Sequence, residues 1–411
     1  MVDRILLVVA FALVLASCAA GTSDDVTDTT VHAQTTETQT SEDNGTDSTV
    51  PAEMEGIPSH LRPMAERWTT DFTNTVIDLN ELRVGIPVAD PRDRIPPIDE
   101  PNFDAVENID WIFDQEPGVL VEINGDARFY PLAVLTRHEI VNDEVGDVPV
   151  AVTYCPLCNT AVTFDRRFED EVLRLGVSGL LRNSDLVMWD IQSQSLWQQV
   201  TGRAIVGEHA GESLTTIASA IVRWADFRAN HPDGRAMTED QGFGAFYGTN
   251  PYEFYSSGAR PFSGFFQREI DDRHPALSRV VGVTLEEGDK AYPFSLITEE
   301  RAINDEINGR PVAIFWGAAD TADALDAPDI SEARGIGTGV AYDPLVDGRR
   351  LTFTAIGDTE FMDEETGTIW TILGKAVNGE LEGSELELLP HRNEFWFAWQ
   401  AFFPDASVWE G

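Results

Sequence analysis

Three cysteines and two lysines are all that a chain of 411 residues contains of those types, and 28 basic residues face 71 acidic ones, for a formal net charge of −43. So acidic a surface offers no cationic patch to displace counterions from a phosphate backbone, which excludes nucleic-acid binding. With only Lys290 and Lys375 present, arginine supplies nearly all the positive charge, a compositional bias that carries no mechanism. The apolar run at residues 5–16 is too short to cross a bilayer, which takes roughly 20 residues. No Ser/His/Asp hydrolase elbow occurs. Gly335-Ile-Gly-Thr-Gly339 lacks the following lysine and the strand-to-helix setting that a phosphate-binding loop requires.

What the start of the chain does contain is a targeting pattern. A weakly charged head (Asp3, Arg4), the apolar run and Leu15-Ala16-Ser17-Cys18 resemble a bacterial lipobox, cut before Cys18 so that its thiol takes lipid. An ordinary secretory signal is the alternative, and both predict export; the lipobox adds an anchor on the extracytoplasmic face of the membrane. Residues 1–17 then form the signal peptide. Residues 18–56, rich in Thr, Ser, Asp and Glu, bury too little apolar surface to order and predict a disordered tether.

The rest is organised by repetition. Tyr130-Pro131 answers to Tyr292-Pro293, Asn142-Asp143 to Asn304-Asp305, and Pro149-Val150-Ala151 to Pro311-Val312-Ala313, at a constant offset. After a length change, Asp190, Trp197, Gly202, Gly207, Trp224 and Pro232 match Asp363, Trp370, Gly374, Gly379, Trp396 and Pro404. Glycines, prolines and large apolar residues fix turns and fill cores, so one fold is expected twice, each copy with its own core. The expected class is α+β: a β-rich internal tandem repeat of two pseudo-symmetric copies with short helices. A Pro-rich arm (57–114) precedes repeat 1 (115–237), an aromatic, Gly-rich segment (238–276) glues the halves, and repeat 2 (277–411) ends the chain.

Within repeat 1, residues 119–123 and 127–130 read as strands around an Asn124-Gly125 turn. Pro131 opens a helix expected from Leu132 to about Val141. Residues 149–154, 162–164, 172–177 and 186–189 read as strands, with turns at Ser178-Gly179 and Arg182-Asn183-Ser184. A helix is expected near residues 221–229.

Only repeat 1 carries cysteines. Where it reads Tyr154-Cys155-Pro156-Leu157-Cys158, repeat 2 reads Trp316-Gly317-Ala318-Ala319-Asp320. A scaffold that folds without the pair in one copy does not need it in the other, so Cys155 and Cys158 point to local chemistry. Three readings compete: a closed disulfide, a redox-active pair and a metal site. So small a loop restricts the unfolded chain little, which makes it a poor staple. A redox pair is best served by a helix N-terminus at the first thiol, and residues 159–164 read as strand instead.

Two thiolates suit a soft ion such as Cu(I), with zinc the alternative at the cost of two more ligands. His138 is the leading third ligand, because repeat 2 has Glu300 in its place. Met188, His209 and His231 are further candidates, the last followed by a proline that suggests a turn role. Asp190 with Asp363, and Asp143 with Asp305, occur in both copies and read as turn and cap residues.

The stretches Val152-Thr-Tyr-Cys-Pro-Leu-Cys-Asn-Thr-Ala161, Val177 to Asp190, and Ser195-Leu-Trp-Gln-Gln-Val-Thr-Gly202 resemble the bacterial and archaeal domain of unknown function DUF3179, from about Trp111 to the C-terminus. That family often carries glycine where Asn159 stands and a smaller aromatic where Trp189 stands. The resemblance implies kinship and no activity. The residues themselves favour a lipid-anchored metal-binding protein, copper first, with a thiol-disulfide oxidoreductase second and a ligand-binding or assembly module third. No protein partner is legible.

Overall fold

The computed structural model describes residues 54–244 and 247–411. Cys18, the expected signal peptide and nearly all of the expected tether lie outside the described residues. Strands take 40% and helices 11%, far to the strand side of an ordinary globular mix, and the longest of the described helices have seven residues.

The strands assemble into hairpin-built sheets. Asn124 and Gly125, with φ of 51° and 79°, make the two-residue turn that sets Pro117–Ile123 against Asp126–Pro131, Val119 opposite Tyr130. Ala220–Arg223 pairs antiparallel on one side of this hairpin and Arg235–Met237 parallel on the other. A second sheet runs Thr216–Ile217, Thr160–Asp165, Val148–Cys155, Ile140–Val145. A third runs Leu175–Arg182, Asp185–Asp190, Leu196–Gln198, Ala204–Val206, and Leu82–Val84 of the N-terminal arm extends its edge.

Residues 277–411 hold three four-stranded sheets of their own. Arg279–Leu285 faces Gly288–Pro293 with Val281 opposite Tyr292, flanked by His391–Phe395 and, in parallel, Ser407–Val408. Ala302–Ile307, Arg310–Gly317, Thr338–Asp343 and Glu387–Leu388 make the next, and Phe353–Ala355, Glu360–Asp363, Ile369–Thr371 and Ala376–Asn378 the last.

Several expected boundaries move. The helix after Pro131 stops at His138 because Glu139 turns left-handed (φ 59°) and Ile140–Val145 is drawn into the sheet. Residues 220–223 are strand, so the next helix is confined to Trp224–Asn230: the β-branched Ile221 and Val222 pair with the first hairpin. Ser178-Gly179 is a bulge within Leu175–Arg182 rather than a turn.

The second half keeps an apolar cluster of its own around Val281, Tyr292, Ile314 and Trp316, but other clusters are shared between the halves. One apolar cluster joins Phe129, Trp224 and Phe227 to Phe315, Tyr342 and Trp370, and another joins Phe164 and Trp197 to Phe395 and Phe397. Hairpins that are apolar on both faces can bury the second face only against the other half. The arm packs Leu61, Met64, Trp68 and Phe72 on Leu180, Val187 and Leu196. In the aromatic segment Tyr247, Tyr255 and Phe266 are buried, whereas Phe243, Phe254 and Phe262 are exposed; Phe246 lies outside the described residues.

His391 ties this core to pH. It is buried, its Nδ1 meets the Leu389 carbonyl at 2.8 Å, and its Nε2 has no partner. Burial pulls its pKa from 6.5 down to about 4. A depressed base leaves stability intact above pH 6.5 and removes it as pH falls through that value toward 4, by ~3 kcal/mol at pH 4. His391→Gln is therefore expected to flatten the acid limb of a urea-denaturation series between pH 7 and 4; an unchanged slope would place the acid sensitivity elsewhere.

Candidate metal centre

Strand Val148–Cys155 ends on Cys155, and a tight turn carries Cys158 back into Thr160–Asp165, with the Cys158 N–H donating to the Cys155 carbonyl at 3.2 Å. No helix begins at either thiol. The turn requires a left-handed residue, supplied by Asn159 at φ 54°; glycine would meet the same demand. Asn159 is also locked by its side chain, which accepts from Tyr154 Oη at 3.0 Å and donates to the Asn393 carbonyl at 2.7 Å.

Both cysteines are free and buried, 4.0 Å apart. The third member of the cluster is Asp185, the first residue after the Asn183-Ser184 hairpin turn: its carboxylate and the two sulfurs lie within 4.8 Å of one another. The hairpin tip is aimed at the thiols, with Cys155 Sγ 3.6 Å from the Ser184 carbonyl. One oxygen of Asp185 is satisfied, accepting from Gln198 Nε2 at 2.5 Å and Val200 N at 3.0 Å. The other, Oδ1, is buried without a partner, as are Ser184 Oγ and Gln199 Oε1.

The protonation equilibria of the cluster are shifted as well. Burial raises the Cys155 thiol, and raises Cys158 further. It lifts Asp185 to about 7 and neighbouring Glu139 to about 8. Glu394 is likewise raised by burial, though Arg392 at 3.0 Å opposes the shift. Without a cation these groups favour their protonated forms; a bound cation would reverse that preference.

Two walls close the centre. The second half supplies one: Phe395 N donates to the Cys158 carbonyl at 3.0 Å. The aromatic segment supplies the other, with Tyr255 Oη donating to the Leu157 carbonyl at 2.9 Å and the Phe265 carbonyl accepting from Ser184 N at 3.0 Å.

His138 stands apart from this cluster. Its Nδ1 faces the Pro96 carbonyl at 2.7 Å and its Nε2 the Tyr247 hydroxyl at 2.9 Å, so both ring nitrogens are engaged. Met188 is buried in the same apolar cluster as the cysteines. His209 packs on Phe168 and Trp197, and His231 lines a cavity with Glu122 and Lys375. Asp190 and Asp363 each bind a tryptophan Nε1–H, from Trp197 at 2.9 Å and Trp370 at 2.8 Å, and each accepts from the backbone of its own turn. Asp143 and Asp305 accept from Tyr130 and Tyr292. Gly337 of the glycine-rich stretch packs under Trp316, where a Cβ would lie 2.3 Å from the indole, and forms no phosphate cradle.

Gly317, at the place matching Cys155, has no room for a side chain. A Cβ on Gly317 would fall 2.1 Å from the backbone oxygen of Asp358, in the hairpin turn before Glu360–Asp363. The turn that stands off to admit a thiol in the first half occupies that space in the second. Asp185, Glu139 and Glu394 were not singled out from sequence; an acid directly after Asn-Ser reads as turn chemistry, and only the fold turns it toward sulfur.

No curated protein and no solved structure matches the chain. The family model described as "Protein of unknown function (DUF3179)" matches residues 92–406, a span that includes both sulfurs, Asp185 and the sheets that position them, and the chain belongs to that family.

Proposed function

We propose that Cys155, Cys158 and Asp185 bind a metal ion, and that the protein is an exported, Cys18-anchored metal-binding protein. The observation that carries this reading is the buried, unpartnered Asp185 Oδ1 beside two free thiols. Cu(I), which the cysteines alone favour, is content with two sulfurs and leaves that oxygen unanswered. A borderline divalent ion of the zinc type uses sulfur and oxygen together, so the donor set favours zinc, with copper second. The ion would neutralise charge among buried acids and cross-link a strand end to a hairpin tip. Three protein donors leave the fourth position of a tetrahedral ion open, and the two walls around the centre restrict what can reach it.

We also read the chain as a duplication of which one copy keeps the centre. Support comes from the paired sheet orders, and from Asn142 and Asn304, whose side chains clasp the backbone of Leu175 and Phe353.

Native mass spectrometry of the mature protein tests the metal reading. One zinc per chain is expected, lost in Asp185→Asn, with affinity falling as pH drops because the thiols must release protons. A metal-free mass two hydrogens light would instead indicate a disulfide and favour the oxidoreductase, for which the 4.0 Å separation is the supporting observation.

A further inference from the structure

A second cavity, of about 190 Å³, opens near the aromatic segment and is lined by Trp111, Phe113 and Tyr247 together with Glu116, Glu239 and Asp329. No basic residue is among its described lining residues. The Trp111 and Tyr247 rings stand 6.2 Å apart at 45°, and their polar edges are already engaged. Trp111 Nε1 donates to the Met237 carbonyl at 3.1 Å. The Pro96 carbonyl can only accept, so neutral His138 donates from Nδ1 and accepts the Tyr247 hydroxyl proton at Nε2. The polar edges of both rings are thus committed to protein partners, both rings line the cavity, and His138 acts as the clamp of one wall. Phe113 lines the cavity and is 58% exposed.

The acids narrow the ligand. Glu116 is 3% exposed, no arginine or lysine lines the cavity, and burial raises its carboxyl to about 7, so a cation bound beside it is what would favour its charged form. Three carboxyls exclude an anion. They do not converge within reach of one metal ion, the thiol cluster being the sole such group among the described residues, so a small hard cation gains little here. Aromatic faces with diffuse negative charge suit a bulky, weakly hydrated cation. We propose that this cavity binds a quaternary or methylated ammonium head group.

Calorimetric titration of the full mature protein with choline and with tetramethylammonium tests this, with 3,3-dimethylbutan-1-ol as the uncharged isostere of choline. Both cations are expected to bind one per chain, and the alcohol at least about tenfold more weakly. Glu116→Gln is expected to weaken choline by about tenfold or more, and Phe113→Ala by several-fold. Phe113 lies at the surface, so its variant should melt with the wild type and keeps the test decisive if the Glu116 variant fails to fold. Absence of binding by either cation at millimolar concentration overturns the proposal. So does equal binding of choline and its isostere, or wild-type affinity in Phe113→Ala.

Discussion

Cys155→Ser is expected to weaken zinc binding and to lower the unfolding free energy of the zinc-loaded protein by about 3 kcal/mol or more at free zinc near 1,000 times the wild-type dissociation constant. In metal-free protein the same substitution should cost far less, since one small buried group replaces another. The contrast is what matters. A serine oxygen keeps the shape but not the soft thiolate, and removing a direct ligand should reduce affinity by more than about 100-fold, beyond the range seen for outer-shell partners. Denaturant titrations with zinc and with chelator would read both quantities. If the variant loses the same stability in each, sulfur is packing and no ion is held.

Gly317→Ala should destabilise by about 3 kcal/mol or more, a large effect for one methyl group. The new Cβ would meet the Asp358 carbonyl at 2.1 Å, and that turn is itself fastened, Asp358 O accepting from Ala318 N at 3.3 Å. Backbone, unlike a flexible side chain, has nowhere to go without breaking its own bonds. Gly264, with nothing within 4 Å of the place a methyl group would take, is the control and should accept alanine quietly. Equal urea midpoints for the two variants would mean that the Asp358 turn is loose and that the second half could host a thiol after all.

How much of this was legible beforehand follows from where the information lay. The hairpins around Asn124-Gly125 and Asn183-Ser184 are local, governed by residues that tolerate positive φ, and they are where the sequence places them. The ends of the helices were misjudged because the sheet overrides local preference: Ile221 and Val222 keep company with Val119 and Gly118, far away in the chain. The two cysteines could be singled out by comparing the halves. Asp185 could not, since its approach to sulfur depends on one hairpin tip folding over the end of another sheet. His138 drew attention through its mismatch with Glu300, but a mismatch cannot tell a ligand from a clamp, and its partners Pro96 and Tyr247 are supplied by segments that lie outside both repeats.

The bond from Phe395 to the Cys158 carbonyl has a mechanical corollary. A hinge that parts the C-terminal strand from the thiol turn would strip one of the two covers from the sulfur centre, so breathing between the halves and oxidant access are coupled.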